Sequence, residues 1–213
     1  GFLPSPNAAR NQCDAAAARA YPPALYLSWA LYRAAPHAGL SEADARDRLA
    51  QAARNGFSAA QIEYALSSSD ETEAGQFLLA AAEENDPRGQ YEYARWLRDS
   101  QAGPRDVRAA LPFLERAAEA GQPEAQHMLA TLHRDGIGVS RDAAKARALY
   151  QRAAGANYPP AMFNLADLLR GGSAEERAQA IALYQRLACM RDERQIAPLA
   201  QRRLRALSAA ASC

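Results

Sequence analysis

Lysine is all but missing from this chain. Lys145 is the only one among 25 basic residues, and the rest are arginine, which reads as the bias of a GC-rich genome. An excess of either charge is missing too: 24 acidic residues leave a net charge of +1. A nucleic-acid binder carries a strongly basic balance or stripe, so that class is excluded. No stretch approaches the ~20 apolar residues of a membrane span, so no transmembrane segment is expected. Histidine and cysteine are scarce, at three residues each. His127 and His133 are six apart, which is not the i, i+4 spacing of a helical metal pair. His37 falls in a loop. There is no Gly-x-Ser-x-Gly elbow and no glycine loop followed by lysine to cradle phosphate. Catalysis commonly needs ~8 kcal/mol or more from placed groups, and no cluster here supplies it. No catalytic residue, metal or cofactor is expected.

Cys13, Cys189 and Cys213 include no Cys-x-x-Cys pair, and an odd count leaves at least one thiol outside any intramolecular bridge. Cys189 and Cys213 share the terminal region and are the candidate pair; free thiols are the alternative. The first residues, Gly1-Phe2-Leu3-Pro4-Ser5-Pro6, lack the charged and apolar regions of a signal peptide. They read as a mature end from which a leader has been removed.

Present instead is an echo. Ala117-Ala118-Glu119-Ala120-Gly121-Gln122-Pro123-Glu124-Ala125 returns 36 residues later as Ala153-Ala154-Gly155-Ala156-Asn157-Tyr158-Pro159-Pro160-Ala161. A fixed period of this size marks stacked supersecondary units and points to macromolecular binding rather than pocket chemistry. Apolar residues recur at helical spacing throughout. In the clearest unit a first helix, A, runs roughly from Glu124 to Arg134, with Ala125, Met128, Leu129 and Leu132 inward. Asp135-Gly136-Ile137-Gly138-Val139 breaks it, since glycine there can take positive φ. A second helix, B, opens near Asp142 and carries Ala146, Leu149, Tyr150, Ala153 and Ala154. Sliding this unit along the chain predicts five helix pairs starting near residues 24, 58, 88, 124 and 160. The recurrent Ala-Ala pairs, such as Ala52-Ala53 and Ala81-Ala82, let each B helix approach the next A helix closely. Residues 7–20 and 192–208 read as end caps. In the second cap Ile196, Leu199, Leu204 and Leu207 are expected inward, and Arg202, Arg203 and Arg205 outward.

These motifs resemble the Sel1-like repeat family, an α/α relative of the tetratricopeptide repeat. The best copy supplies Ala125, Leu129, Gly136-Ile137-Gly138-Val139, Asp142, Lys145-Ala146, Leu149-Tyr150 and Ala153-Ala154. It departs from the family at Ala130, where glycine is usual, and at His133, where tyrosine is usual. The resemblance implies an all-α, right-handed superhelical solenoid of about five antiparallel helix pairs with N- and C-terminal capping helices. The corresponding organisation is an N-terminal segment and cap at 1–20, repeats at about 21–56, 57–86, 87–122, 123–158 and 159–191, and a C-terminal cap and tail at 192–213.

The resemblance also implies a non-enzymatic protein–protein interaction module, commonly of the bacterial envelope. Its most concrete form is an immunity protein that binds and neutralises a secreted, lipase-type toxin of type VI secretion, the partner then being a phospholipase effector. The alternative is a structural scaffold in an envelope assembly such as a secretion or exopolysaccharide machine. The expected location is periplasmic, with cytoplasmic as the alternative. Stacked pairs leave a concave face lined mainly by the A helices. The candidate partner-binding residues there are Glu63, Glu92, Arg95, Arg98, Thr131, Arg134, Asp167 and Arg170, joined by Tyr91 and Trp96 if exposed. Ile62, Tyr91, His127 and Phe163 recur at one A-helix position. They are read as packing, with a ligand-facing ladder as the alternative.

Overall fold

The computed structural model describes residues 14–35, 40–103, 105–190 and 192–207. Among these a helical turn at residues 14–17 precedes eleven longer helices, and no strand occurs. The helices are α1 (Pro22–Ala34), α2 (Glu42–Arg54), α3 (Ser58–Ser67), α4 (Glu71–Glu83), α5 (Pro87–Asp99), α6 (Val107–Glu119), α7 (Pro123–Asp135), α8 (Ala143–Gly155), α9 (Pro159–Leu169), α10 (Ala174–Ala188) and α11 (Ile196–Ala206). The fold is all-α, and consecutive helices pack on one another from α1 to α5 and from α7 to α11. The A helices are α1, α3, α5, α7 and α9, and the B helices are α2, α4, α6, α8 and α10.

One turn, used five times, sets the architecture. Ala20, Gly56, Asn85, Gly121 and Asn157 all adopt left-handed backbone, with φ of 55°, 80°, 60°, 94° and 60°. The residue after each sends its N–H five residues back. Tyr21 bonds to Ala16 O at 3.2 Å, Phe57 to Ala52 O at 3.2 Å, Asp86 to Ala81 O at 3.3 Å, Gln122 to Ala117 O at 3.0 Å and Tyr158 to Ala153 O at 3.1 Å. This Schellman geometry satisfies the last carbonyls of one helix. Proline then opens α1, α5, α7 and α9, where its missing N–H costs nothing. Glycine and asparagine tolerate the left-handed region; Ala20 takes it at a steric cost. The same turn before α1 shows that the residues leading into it end as a B helix does.

The alanine pairs do what their size suggests. Ala52, Ala53, Ala81, Ala82, Ala117, Ala118, Ala153 and Ala154 are all buried. α4 and α5 approach closely: a methyl on Gly89 would lie 2.8 Å from Ala81 Cβ and from its carbonyl carbon. The N-termini of α2, α4, α5, α8 and α10 are capped by the side chains of Ser41, Asp70, Asp86, Asp142 and Ser173. At α10, Ser173 and Glu176 complete a reciprocal capping box.

The chain divides into two compact units at Phe113 and Leu114, inside α6. In the first, Leu25, Trp29, Ala45, Leu49, Ala52 and Ala60 form a core flanked by Tyr26, Phe57 and Tyr64. In the second, Leu129, Leu149, Tyr150, Met162, Leu165, Tyr184, Leu187 and Leu204 are buried.

The last helix departs from the expected cap. Leu204 is buried as expected, but Leu199 is 48% exposed. Arg203 turns back to pair with Asp167 at 2.9 Å instead of facing outward. The reason lies in the register. Leu199 stands 36 residues after Phe163, so α11 is placed as a further A helix. His127 and Phe163 are covered by tyrosines of their own B helices, and among the described residues no helix follows α11 to cover Leu199. Leu168, 36 residues after the inward Leu132, is 40% exposed, while Leu169 is buried.

Candidate functional site

The expected site residues all lie on A helices, and their surroundings differ between the units. In the first unit Glu63 projects from α3 and is only 15% exposed, because Arg33 of α1 at 3.2 Å and Arg88 of α5 at 2.7 Å close over it. Glu92 on α5 is buried and pairs with Arg95 at 2.7 Å. Arg95 also lies over the half-buried Tyr91 ring, 5.9 Å from its centre. Arg98 pairs with its neighbour Asp99, whose carboxyl is held below its ordinary range by that hydrogen bond. Trp96 is half-buried. Its ring stacks on Tyr93 at 5.8 Å, and its indole N–H donates to Glu71 O at 2.8 Å. Gly75 makes this possible, since a Cβ there would overlap the ring. In this unit Glu63 joins α1, α3 and α5, whereas Glu92, Arg95 and Arg98 pair within α5.

The second unit carries a continuous polar row. On α7, Thr131 donates to the His127 carbonyl at 3.0 Å and shares a 2.9 Å hydrogen bond with the buried Tyr150 hydroxyl of α8. Asn164 of α9 donates to Nε2 of His127 at 2.8 Å, which needs that nitrogen bare and the ring neutral. Burial, and then the charge of Arg134, push the His127 pKa from 6.5 down to about 4. Its ring meets Tyr150 at 5.6 Å and Tyr158 at 5.5 Å. One turn on, Asp167 accepts from the buried Tyr184 hydroxyl at 2.6 Å. It pairs with Arg170 at 3.1 Å and Arg203 at 2.9 Å. Burial, with the Asp167 charge beside it, raises the Tyr184 phenol well above its ordinary range. Arg134 forks onto Asp135 at 2.7 and 2.8 Å.

Thr131, Arg134, Asp167 and Arg170 are therefore brought onto one face of the second unit. The position shared by Ile62, Tyr91, His127 and Phe163 packs: Ile62 is buried, and His127 and Phe163 sit against the tyrosines of their B helices. Sequence reasoning missed the part played by Tyr150 and Tyr184, whose hydroxyls anchor the row from beneath. The available signal was a tyrosine at one B-helix position in consecutive copies. His133 is buried, with Nδ1 3.4 Å from Ser140 O. Among the described residues no group of three or more His, Cys, Asp or Glu is placed to hold a metal ion. No helix there is long and apolar enough to cross a membrane. Cys189, which caps α10, is disulfide-bonded. Cys13 and Cys213, the latter its expected partner, lie outside the described residues.

Residues 87–122, 123–158 and 159–192 match the model of the Sel1 repeat. The chain belongs to the Sel1 repeat family. Two solved structures agree in fold. One is c5321, a protective antigen of uropathogenic Escherichia coli strains displaying an SLR fold. It has a TM-score of 0.80 and 22% identity over 96% of this chain and 46% of its own. The other is a Sel1 repeat protein from Oxalobacter formigenes, with a TM-score of 0.77 and 23% identity over 97% of this chain and 62% of its own. The chain thus spans about half the length of the first and under two thirds of the second. No curated protein matches it. Sel1 repeats are protein-interaction modules and generally not enzymes, and the three Sel1 repeats here are such a module.

Proposed function

We propose that this chain is a partner-binding module of a bacterial envelope, and most concretely an immunity protein that docks on and neutralises a secreted lipase-type toxin. The observation that carries the binding reading is the row on α7 and α9. Among the described residues, Arg134 and Arg170 make ion pairs within their own helix or its C-terminal cap, with Asp135 and Asp167. They are oriented by the fold without tying one helix to another. Side chains so placed are available to a partner, and arginine is over-represented among the residues that dominate interfaces. The envelope reading is supported by the disulfide at Cys189, because such bonds persist in oxidising compartments such as the periplasm.

The test is co-expression with each toxin encoded beside this gene. Survival of the host together with a stable isolated complex is the expected outcome. A chain that binds only structural components of a secretion or polysaccharide machine would be a scaffold, and the immunity reading would be lost.

A further inference from the structure

One end of the A-helix face of the second unit is unevenly charged. Arg134, Arg141, Arg170 and Arg203 gather there, and Asp135 and Asp167 are the carboxylates paired with them. Two contacts fix the arrangement. The His127–Asn164 hydrogen bond sets α7 beside α9, and the Asp167–Arg203 ion pair sets α9 beside α11. Arg134 and Arg170 occupy the same position 36 residues apart, and Arg203 follows Asp167 by the same interval. Arg141 donates to the Arg134 carbonyl at 3.1 Å and adds its charge to that edge. The side chains of Arg134, Arg170 and Arg203 are 36%, 49% and 41% exposed. A guanidinium has five N–H donors, and the pair with Asp135 uses two of Arg134's.

We propose that this surface receives an extended acidic segment of a partner protein, with carboxylates recurring every third residue. The inference rests on the partner-binding reading above and names the chemistry of the partner. Guanidinium forks match carboxylates in a bidentate geometry that lysine cannot copy. Neighbouring helices lie ~9 Å apart. A polyproline II segment rises ~3.1 Å per residue with three residues per turn, so every third side chain returns to one face after ~9 Å. The two spacings coincide. A nucleic acid is disfavoured: its evenly charged backbone would press against Asp135 and Asp167, and the chain as a whole carries only +1.

The test is fluorescence anisotropy of the full chain with two labelled nine-residue peptides of one composition. In one, Glu-Pro-Ala is repeated three times; in the other the three glutamates are contiguous. The spaced peptide is expected to bind at least tenfold more tightly, and to weaken in 0.5 M salt. Arg134→Gln with Arg170→Gln should cost at least tenfold, with an unchanged thermal melt. Arg54→Gln with Arg177→Gln removes the same charge elsewhere and should cost nothing. Equal affinity for the two isomers, absence of binding, or equal loss in both paired variants overturns the inference. So does tighter binding to a single-stranded oligonucleotide or to phosphatidylserine vesicles. If these peptides fail while the chain still forms a stable complex with a protein partner, the acidic-segment inference alone is lost. If no protein partner is found, the reading beneath it is lost.

Discussion

Gly89→Ala and Gly155→Ala are the same chemical change with opposite expected signs. Neither glycine is among the left-handed positions, so backbone strain does not enter. In a helix alanine is favoured over glycine by up to about 1 kcal/mol, and near the end of α8 by about 0.5 kcal/mol. At Gly155 the new methyl meets nothing within 4 Å, so that gain stands. At Gly89 it would lie 2.8 Å from Ala81 Cβ and from the Ala81 carbonyl carbon. The second contact is backbone and cannot rotate away, so α4 and α5 must separate. Overpacking of this kind costs about 1–3 kcal/mol, which exceeds the propensity gain. The net expectation is a loss of about 0.5–2 kcal/mol for Gly89→Ala and a gain of about 0.5 kcal/mol for Gly155→Ala. In a chain of this length these correspond to a melting temperature lower by roughly 1–8 °C and higher by roughly 1–2 °C. Urea midpoints at constant slope give the energies directly. Adding Ala81→Gly should recover only part of the Gly89→Ala loss, because the carbonyl contact remains. If both single variants shift in the same direction, the close approach of α4 and α5 is wrong.

Three further outcomes are expected. His127 is neutral in the fold, with its pKa lowered from 6.5 to about 4, so its contribution is complete above pH 6.5 and is lost as pH falls toward 4. His127→Phe, which copies Phe163 at the same position, should flatten the urea midpoint between pH 6.5 and 4 by an equivalent of about 2–3 kcal/mol; an unchanged slope would mean the ring is not buried. Ala153→Leu at a fully buried position should cost roughly 1–3 kcal/mol, and an unaltered melt would count against the packing face assigned to it. Ala20→Gly relieves a left-handed alanine at φ 55° and should stabilise by about 1 kcal/mol, read from the same denaturation curves; destabilisation would deny that turn.

The parts of the fold legible in the sequence are those where one residue type answers one physical demand in every copy. Glycine or asparagine two residues before α3, α5, α7 and α9 supplies positive φ, proline marks the first turn of every A helix but α3, and paired alanines permit close helix contact. Ala20 breaks that code, and only its backbone shows that the turn recurs there. Two residues of the second cap, Leu199 and Arg203, were misplaced because periodicity ranks residues by hydrophobicity and does not know which neighbours are present. Leu199 is exposed among the described residues, and Arg203 turns inward because Asp167 offers it a partner. The candidate row was legible as a set of variable A-helix positions. Its division was not: Glu63 is consumed in bridging three helices, whereas the ion pairs of Arg134 and Arg170 among the described residues are local. That difference depends on which opposite charge lies nearest in space, and such pairs are separated by up to 36 residues in the chain.

The central claim is that the buried seam between helices makes the fold while the A-helix face of the second unit meets the partner. Its most direct test is quantitative capture of the co-expressed partner by the native chain and by the two paired arginine variants. The account predicts at least tenfold loss with Arg134→Gln and Arg170→Gln, full retention with Arg54→Gln and Arg177→Gln, and indistinguishable melts. Retention by the first pair, or loss with the second, would contradict it.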